Sequence, residues 1–260
     1  MSLPSSVQTS SQPPRGPYES SPQAICEGEL MPFAGEKVWP VQPNEESPRA
    51  RVERLGRERP AVFHTAMQEV GFVFSISMSQ LLTDFFVSGF TVLLPTLIQQ
   101  LAIPQTASVW PATAFSLVIA STLLVFGRIG DIKGGYPVFM TGLSWLLLWS
   151  IIAGFSVNPV MLNICRALQG FGPAASLPTG VMLIGSLYRP GPRKNLVFAI
   201  YGTSAVFGFF GGIVVAGVVG QYLRWGYFFW IGGILTAITL ATSYFSIPHA
   251  RPERALQKLK

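Results

Sequence analysis

Charge is scarce in this chain, and its placement says more than its amount. Asp, Glu, Lys and Arg make up 12% of 260 residues, roughly half the share of an average soluble domain. Residues 1–60 hold seven basic and eight acidic residues; the following two hundred hold eleven basic residues and only four acidic ones. No Lys/Arg stripe interleaved with aromatics accompanies that excess, which excludes a nucleic-acid surface and fits the loop bias of a membrane topology. Cysteine is nearly absent. Cys26 and Cys165 cannot build a disulfide framework, and neither stands in a metal-ligand spacing. No Walker-type glycine loop occurs, so nothing in the chain hydrolyses ATP; no enzyme activity, cofactor or metal is expected. The first sixty residues also lack the apolar core of roughly 7–15 residues that a secretory signal needs. The first apolar span is therefore expected to serve as the targeting signal.

Apolar residues, by contrast, reach 49% and fall into six segments near 73–98, 110–127, 138–156, 160–187, 196–219 and 227–247. Each is long enough to cross a hydrocarbon core of roughly 30 Å. The expected fold is all-α: a polytopic membrane protein with a six-helix transmembrane bundle over residues 71–247. Short connections make consecutive helices the expected antiparallel neighbours. Residues 1–70 form a Ser/Pro-rich tail whose composition cannot offset chain entropy, so disorder is expected there. Its last stretch, Arg49 to Arg59, is basic and reads either as a headgroup contact or as a solvated flank. Residues 248–260 form a second basic tail. Arg128, Lys133, Arg189, Arg193, Lys194, Arg251, Arg254, Lys258 and Lys260 fall on the side of the tails, and Arg224 alone on the other. Both termini are thus expected to be cytoplasmic. Trp110, Trp225, Trp230, Tyr222 and Tyr227 suit an aromatic belt at the outer interface.

Two charges lie inside the spans. Asp84, near the middle of the first, shares a helical face with Gln80 and Ser88. Such a polar face is expected to look toward other helices or a water-filled path, either as a structural neutral acid or as a titrating group for substrate or protons. Arg166, two turns into the fourth span, carries a charge that costs about 2.5–3.5 kcal/mol at the bilayer centre on insertion scales. It needs an anion, a carbonyl cluster or water. Asp84 is the only carboxylate within the spans and the natural partner, directly or through substrate or water. Gln169 follows one turn later on the expected substrate path. In the fifth span Ser204, Gly208, Gly212, Ala216 and Gly220 repeat every four residues, a smooth ridge where another backbone can approach. Whether that backbone belongs to this chain or to another subunit is open.

The run Gly127-Arg128-Ile129-Gly130-Asp131-Ile132-Lys133-Gly134 is similar to the G-x-L-x-D-x-x-G loop signature of the major facilitator superfamily. Arg166-Ala167-Leu168-Gln169-Gly170-Phe171-Gly172 resembles that family's R-x-x-Q-G-x-G motif. Arg224-Trp225-Gly226-Tyr227-Phe228-Phe229 resembles the R-W-x-x-F-F start of the sixth span in its fungal drug:proton antiporter branch, a fourteen-span type. The likeness covers about residues 70–250, the amino-terminal six-helix half. It implies that Asp131, with Gly127 and Gly134, locks a cytoplasmic gate, and that Arg166 and Asp84 couple protons. Three departures stand out. Gly135 and Tyr136 replace the family's basic pair, Phe207-Gly208 replace the expected Gly-Pro, and Asp84 is displaced by about two residues from the usual aspartate.

The resulting expectation is a secondary transporter, or half of one, in the plasma membrane, exporting a small organic solute by proton antiport. Its expected partners are the bilayer, a small-molecule substrate, protons and a second six-helix half, in a homodimer or another chain. Two alternatives stay open: an ammonium- or borate-like carrier of the same branch, and a truncated, non-transporting half that serves as an interaction partner.

Overall fold

The computed structural model describes residues 65–100 and 109–247, together with Arg54, Gly56, Pro60, Val62 and Phe63. Most of the 1–70 tail, and all of 101–108 and 248–260, lie outside the described residues. Among the described residues six long helices follow one another: α1 Ala66–Gln100, α2 Trp110–Lys133, α3 Gly135–Gly154, α4 Pro159–Leu187, α5 Pro192–Tyr222 and α6 Gly226–Ser246. Among the described residues there is no strand, so the chain is all-α. Five helices are long and apolar enough to cross a membrane. The exception is α4, which carries Asn163, Arg166, Gln169, Pro173 and Pro178 along its 29 residues.

Local chemistry sets the ends. Thr65 precedes α1, and its hydroxyl accepts the Gln68 N–H at 3.4 Å, so the helix starts at Ala66 and not near 73. Pro111, Pro159 and Pro192 stand in the first turns of α2, α4 and α5, where a missing N–H costs nothing. The segment expected as a loop, residues 127–134, is instead the last two turns of α2. Only Gly134 breaks the helix, at φ +94°, with its N–H donating to the Gly130 carbonyl at 2.8 Å. An L side chain rarely adopts that conformation.

Of the extensive helix contacts, only one joins helices consecutive in the chain. The most extensive contacts join α1 to α5, α3 to α4 and α2 to α4, followed by α3 with α6 and α1 with α6; α4 with α5 and α5 with α6 scarcely touch. Exchanging the first three helices for the last three maps α1–α5 onto α4–α2 and α3–α4 onto α6–α1, and leaves α3–α6 unchanged. For helices alternating in direction, this is the pattern of two three-helix units of opposite orientation.

Small residues explain why those pairs meet. The ridge on α5 lies against α1 of the same chain: a Cβ on Gly208 would collide with the Leu81 backbone, and one on Gly212 would sit 2.6 Å from the Phe85 carbonyl oxygen. A Cβ on Gly142 of α3 would lie 2.8 Å from the Gly172 carbonyl of α4, and one on Gly170 2.7 Å from the Phe115 carbonyl of α2. In lipid, apolar burial does not drive helices together, so close approach of this kind carries the association. Large apolar side chains meanwhile stay outside, among them Leu124, Phe207, Phe210 and Val214. One member of the expected aromatic belt turns inward: Trp225 is buried and packs edge-on against Phe229 at 6.2 Å.

The seam makes a directional prediction. Gly212→Val forces α1 and α5 apart and lowers stability by about 1–3 kcal/mol, read as a drop in the thermal midpoint of detergent-solubilised protein. Gly217 has nothing within 4 Å of its would-be Cβ, so Gly217→Ala is neutral or gains up to about 1 kcal/mol.

Candidate functional site

Arg166 is fully buried and, among the described residues, meets no carboxylate. Its guanidinium donates to the Phe86 carbonyl of α1 at 3.2 Å, to the Pro111 carbonyl of α2 at 3.4 Å and to Gln169 Oε1 at 3.0 Å. The planar cation also lies over Phe90 at 4.2 Å, Phe115 at 4.3 Å and Phe229 at 6.0 Å. Carbonyl dipoles and ring faces thus supply the compensation that a buried cation demands. Gln169 extends the network: its Nε2 donates to Ser150 Oγ on α3 at 2.7 Å, and that hydroxyl donates to the Leu146 carbonyl at 2.6 Å. The motif therefore has a layout. Arg166 and Gln169 point into the bundle, while Gly170 and Gly172 let α2 and α3 approach on two sides.

Asp84 and Arg166 are not paired directly, contrary to the simplest expectation. The reason is rotational. Phe86 and Phe90, which face Arg166, share one face of α1, and Asp84 precedes Phe86 by two residues, about 200° around the helix. Asp84 therefore turns toward α5. There Gln80 Nε2 donates to Asp84 Oδ2 at 2.9 Å, and the Tyr201 hydroxyl of α5 donates to Gln80 Oε1 at 2.7 Å. Of the three residues expected along a substrate path, Gln80 keeps partial exposure, whereas Ser88 and Gln169 are buried. The Ser88 hydroxyl lies 2.8 Å from the Asp84 carbonyl and 2.9 Å from the Phe209 carbonyl, inside the α1–α5 seam.

The end of α2 is more open. Asp131 faces Arg128 at 3.9 Å, with both side chains largely exposed, a geometry worth little in stability. Gly130 is the buried member of this run: a Cβ there would meet Thr179 Cγ2 of α4 at 2.7 Å.

A second polar cluster at the same end had no local sequence signal. Glu69, in the first turn of α1, is gripped by Arg193 of α5: Nε at 2.8 Å from Oε1 and Nη2 at 2.6 Å from Oε2. The Tyr188 hydroxyl donates to Glu69 Oε1 at 3.1 Å. Burial, and then the charge of Glu69, push the Tyr188 phenol well above the usual tyrosine range, so it remains a donor. Phe63 and Phe72 pack against the Tyr188 ring at 6.2 and 6.3 Å. Glu69 and Arg193 lie 124 residues apart, a separation at which no periodicity pairs them. Tyr201 was within reach of the sequence, since it precedes Ser204 and Gly208 on the small-residue face of α5.

Residues 76–260 match the family model described as Major Facilitator Superfamily, and the chain belongs to that family. It is 43% identical over 154 residues to the low affinity ammonium transporter of Saccharomyces cerevisiae, covering 58% of this chain and 30% of that protein. It is 34% identical over 190 residues to the efflux pump terJ of Aspergillus terreus, covering 72% of this chain and 37% of the relative. The crystal structure of a peptide transporter, POT, in complex with sulfate superposes with a TM-score of 0.61 over 67% of this chain and 37% of that chain. At 15% identity this last likeness shows the fold alone. The chain thus spans about a third of the length of these relatives. It is a multi-pass membrane protein of a transporter family.

Two outcomes follow from the polar contacts. Arg166→Lys keeps the charge but cannot span three divergent acceptors, and the loss of two charged hydrogen bonds lowers stability by about 3 kcal/mol; thermal unfolding in detergent reads it. Arg193→Ala leaves Glu69 without its bidentate cation and costs about 3 kcal/mol, part of which returns when Glu69→Gln is added.

Proposed function

We propose that this chain is the amino-terminal six-helix half of a secondary transporter that exports a small organic solute against proton entry, with Asp84 as the proton-carrying group. The carrying observation is Asp84 itself: a partly exposed carboxylate midway along an apolar span, hydrogen-bonded by Gln80, with no ion pair among the described residues. A carboxylate so placed changes its proton as water reaches or leaves it. Arg166 supplies a fixed positive charge to the same bundle, and Asp131, with Gly127 and Gly134, shapes the cytoplasmic gate. Outward movement is supported by the relative named as an efflux pump.

On this reading both termini lie in the cytoplasm. Arg128, Lys133, Arg189, Arg193 and Lys194 gather at one end of the bundle, against Arg224 at the other. The membrane is the plasma membrane. The transport path forms between this bundle and a second six-helix half, since facilitator proteins rock two such units about a central site.

A second reading has an observation of its own: the 43% identical relative is named as an ammonium transporter, which favours a small cation as cargo. Vesicles carrying the chain and an imposed proton gradient separate the readings. Gradient-driven movement of a fluorescent organic cation, lost in Asp84→Asn at unchanged membrane insertion, is the expected result. Movement of methylammonium alone supports the second reading. Absence of flux even when crosslinking shows a dimer supports a non-transporting half.

A further inference from the structure

The contact that fixes Asp84 comes from its own helix, and that contact is itself held from another. Gln80 stands one turn before Asp84 on α1 and has two polar ends. Its Nε2 donates to Asp84 Oδ2 at 2.9 Å, and its Oε1 accepts the Tyr201 hydroxyl of α5 at 2.7 Å. An ionised carboxylate only accepts hydrogen bonds, so the amide must turn its NH₂ toward Asp84 and its oxygen toward Tyr201. The tyrosine hydroxyl must then donate. A protonated Asp84 lifts that constraint, because its O–H is satisfied equally by the amide oxygen, and Tyr201 then accepts from the NH₂. The three groups form a chain whose direction is set by one proton.

We propose that Tyr201 and Gln80 are positioning residues for Asp84, forming a reversible hydrogen-bond relay that ties its protonation to the α1–α5 seam. This rests on the reading of Asp84 as the proton site. The seam is suited to register such a change. Gly208 and Gly212 bring α5 onto the backbone of α1, and Ser88, one turn past Asp84, reaches the Phe209 carbonyl of α5 at 2.9 Å. Polar contacts on both sides of Asp84 thus run from α1 to the same helix. Other ionisable groups stand apart. Tyr201 is the titratable group that α5 brings to Asp84, Arg193 is held by Glu69 at the end of the bundle, and Arg166 of α4 is committed to Phe86, Pro111 and Gln169. Tyr227 and Tyr244 of α6 lie near the ends of that helix.

The test reads the proton and not transport. A hydrophobic carbodiimide adds to a protonated carboxyl, taking its proton on nitrogen and the carboxylate oxygen on carbon; the acyl carbon then moves from that oxygen to nitrogen, and the adduct stays attached as an N-acylurea. Membranes containing the full chain are treated across a pH series, and modification at Asp84 is quantified by mass spectrometry. In the unmodified chain labelling is expected to fall as pH rises. Tyr201→Phe keeps the ring and its packing but frees the Gln80 amide to turn, so its profile moves toward higher pH by about one unit, the worth of one hydrogen bond to a charged group. Gln80→Leu removes the donor outright and moves the profile the same way; it carries the test if Tyr201→Phe fails to insert. Profiles in both variants that coincide with the unmodified chain overturn the relay while leaving Asp84 as a proton site. Labelling that is absent or independent of pH in the unmodified chain overturns the proton-site reading as well.

Discussion

A guanidinium sealed among helices, with no carboxylate beside it among the described residues, sets the terms for the rest of this bundle. Removing Arg166 from water demands several acceptors at once, and one helix cannot supply them, because its own carbonyls are largely spent on its ladder. The acceptors come from α1 and α2 as well as from Gln169, and the ring faces come from Phe90, Phe115 and Phe229 on α1, α2 and α6. Four helices must be in register for that charge to be tolerated. The Arg166–Gln169–Ser150 chain then brings in α3. A residue that is costly in isolation becomes the point from which the positions of five helices can be referenced.

Apolar surface cannot do this work in a bilayer, where lipid tails compete for it on equal terms. Glycine does it instead. The approaches at Gly142–Gly172, Gly170–Phe115 and Gly212–Phe85 bring backbones close enough for side chains on neighbouring helices to reach each other's carbonyls. A Cβ on Gly226 of α6 would lie 2.5 Å from the Gly154 carbonyl of α3, so the same device recurs at a further seam. Close approach and polar bridging depend on each other: the Ser88–Phe209 and Tyr201–Gln80 contacts cross the seam that Gly208 and Gly212 hold tight.

Charge is used differently along the bundle. At its end, Glu69 and Arg193 form a direct bidentate pair, partly open to solvent, where water lowers the cost of both ions. Deeper in, the two charges are kept apart on opposite faces of α1, each with its own neutral partners. This separation leaves Asp84 with no cation beside it among the described residues.

The sequence by itself determined the solvent and the elements. Long apolar runs leave a chain little choice but helices that span a bilayer, and prolines at helix starts and Gly134 after α2 mark boundaries that depend only on neighbours in sequence. It also determined which residues are costly enough to matter, since Asp84 and Arg166 stand out against any apolar background. Their separation was not legible there: Gln80, Asp84 and Ser88 mark one helical face, but only the packed bundle puts Arg166 on the Phe86 and Phe90 side of α1. What tertiary structure decided was partnership. Chain order suggested that sequential helices would be neighbours, but α5 packs on α1 and α2 on α4, because small faces and not connection lengths choose the contacts. The α5 ridge proved to serve this chain's own α1. Glu69 met Arg193 across 124 residues, and Trp225 turned inward. A pattern along one helix shows which face is polar or smooth; only the packed bundle supplies what that face meets.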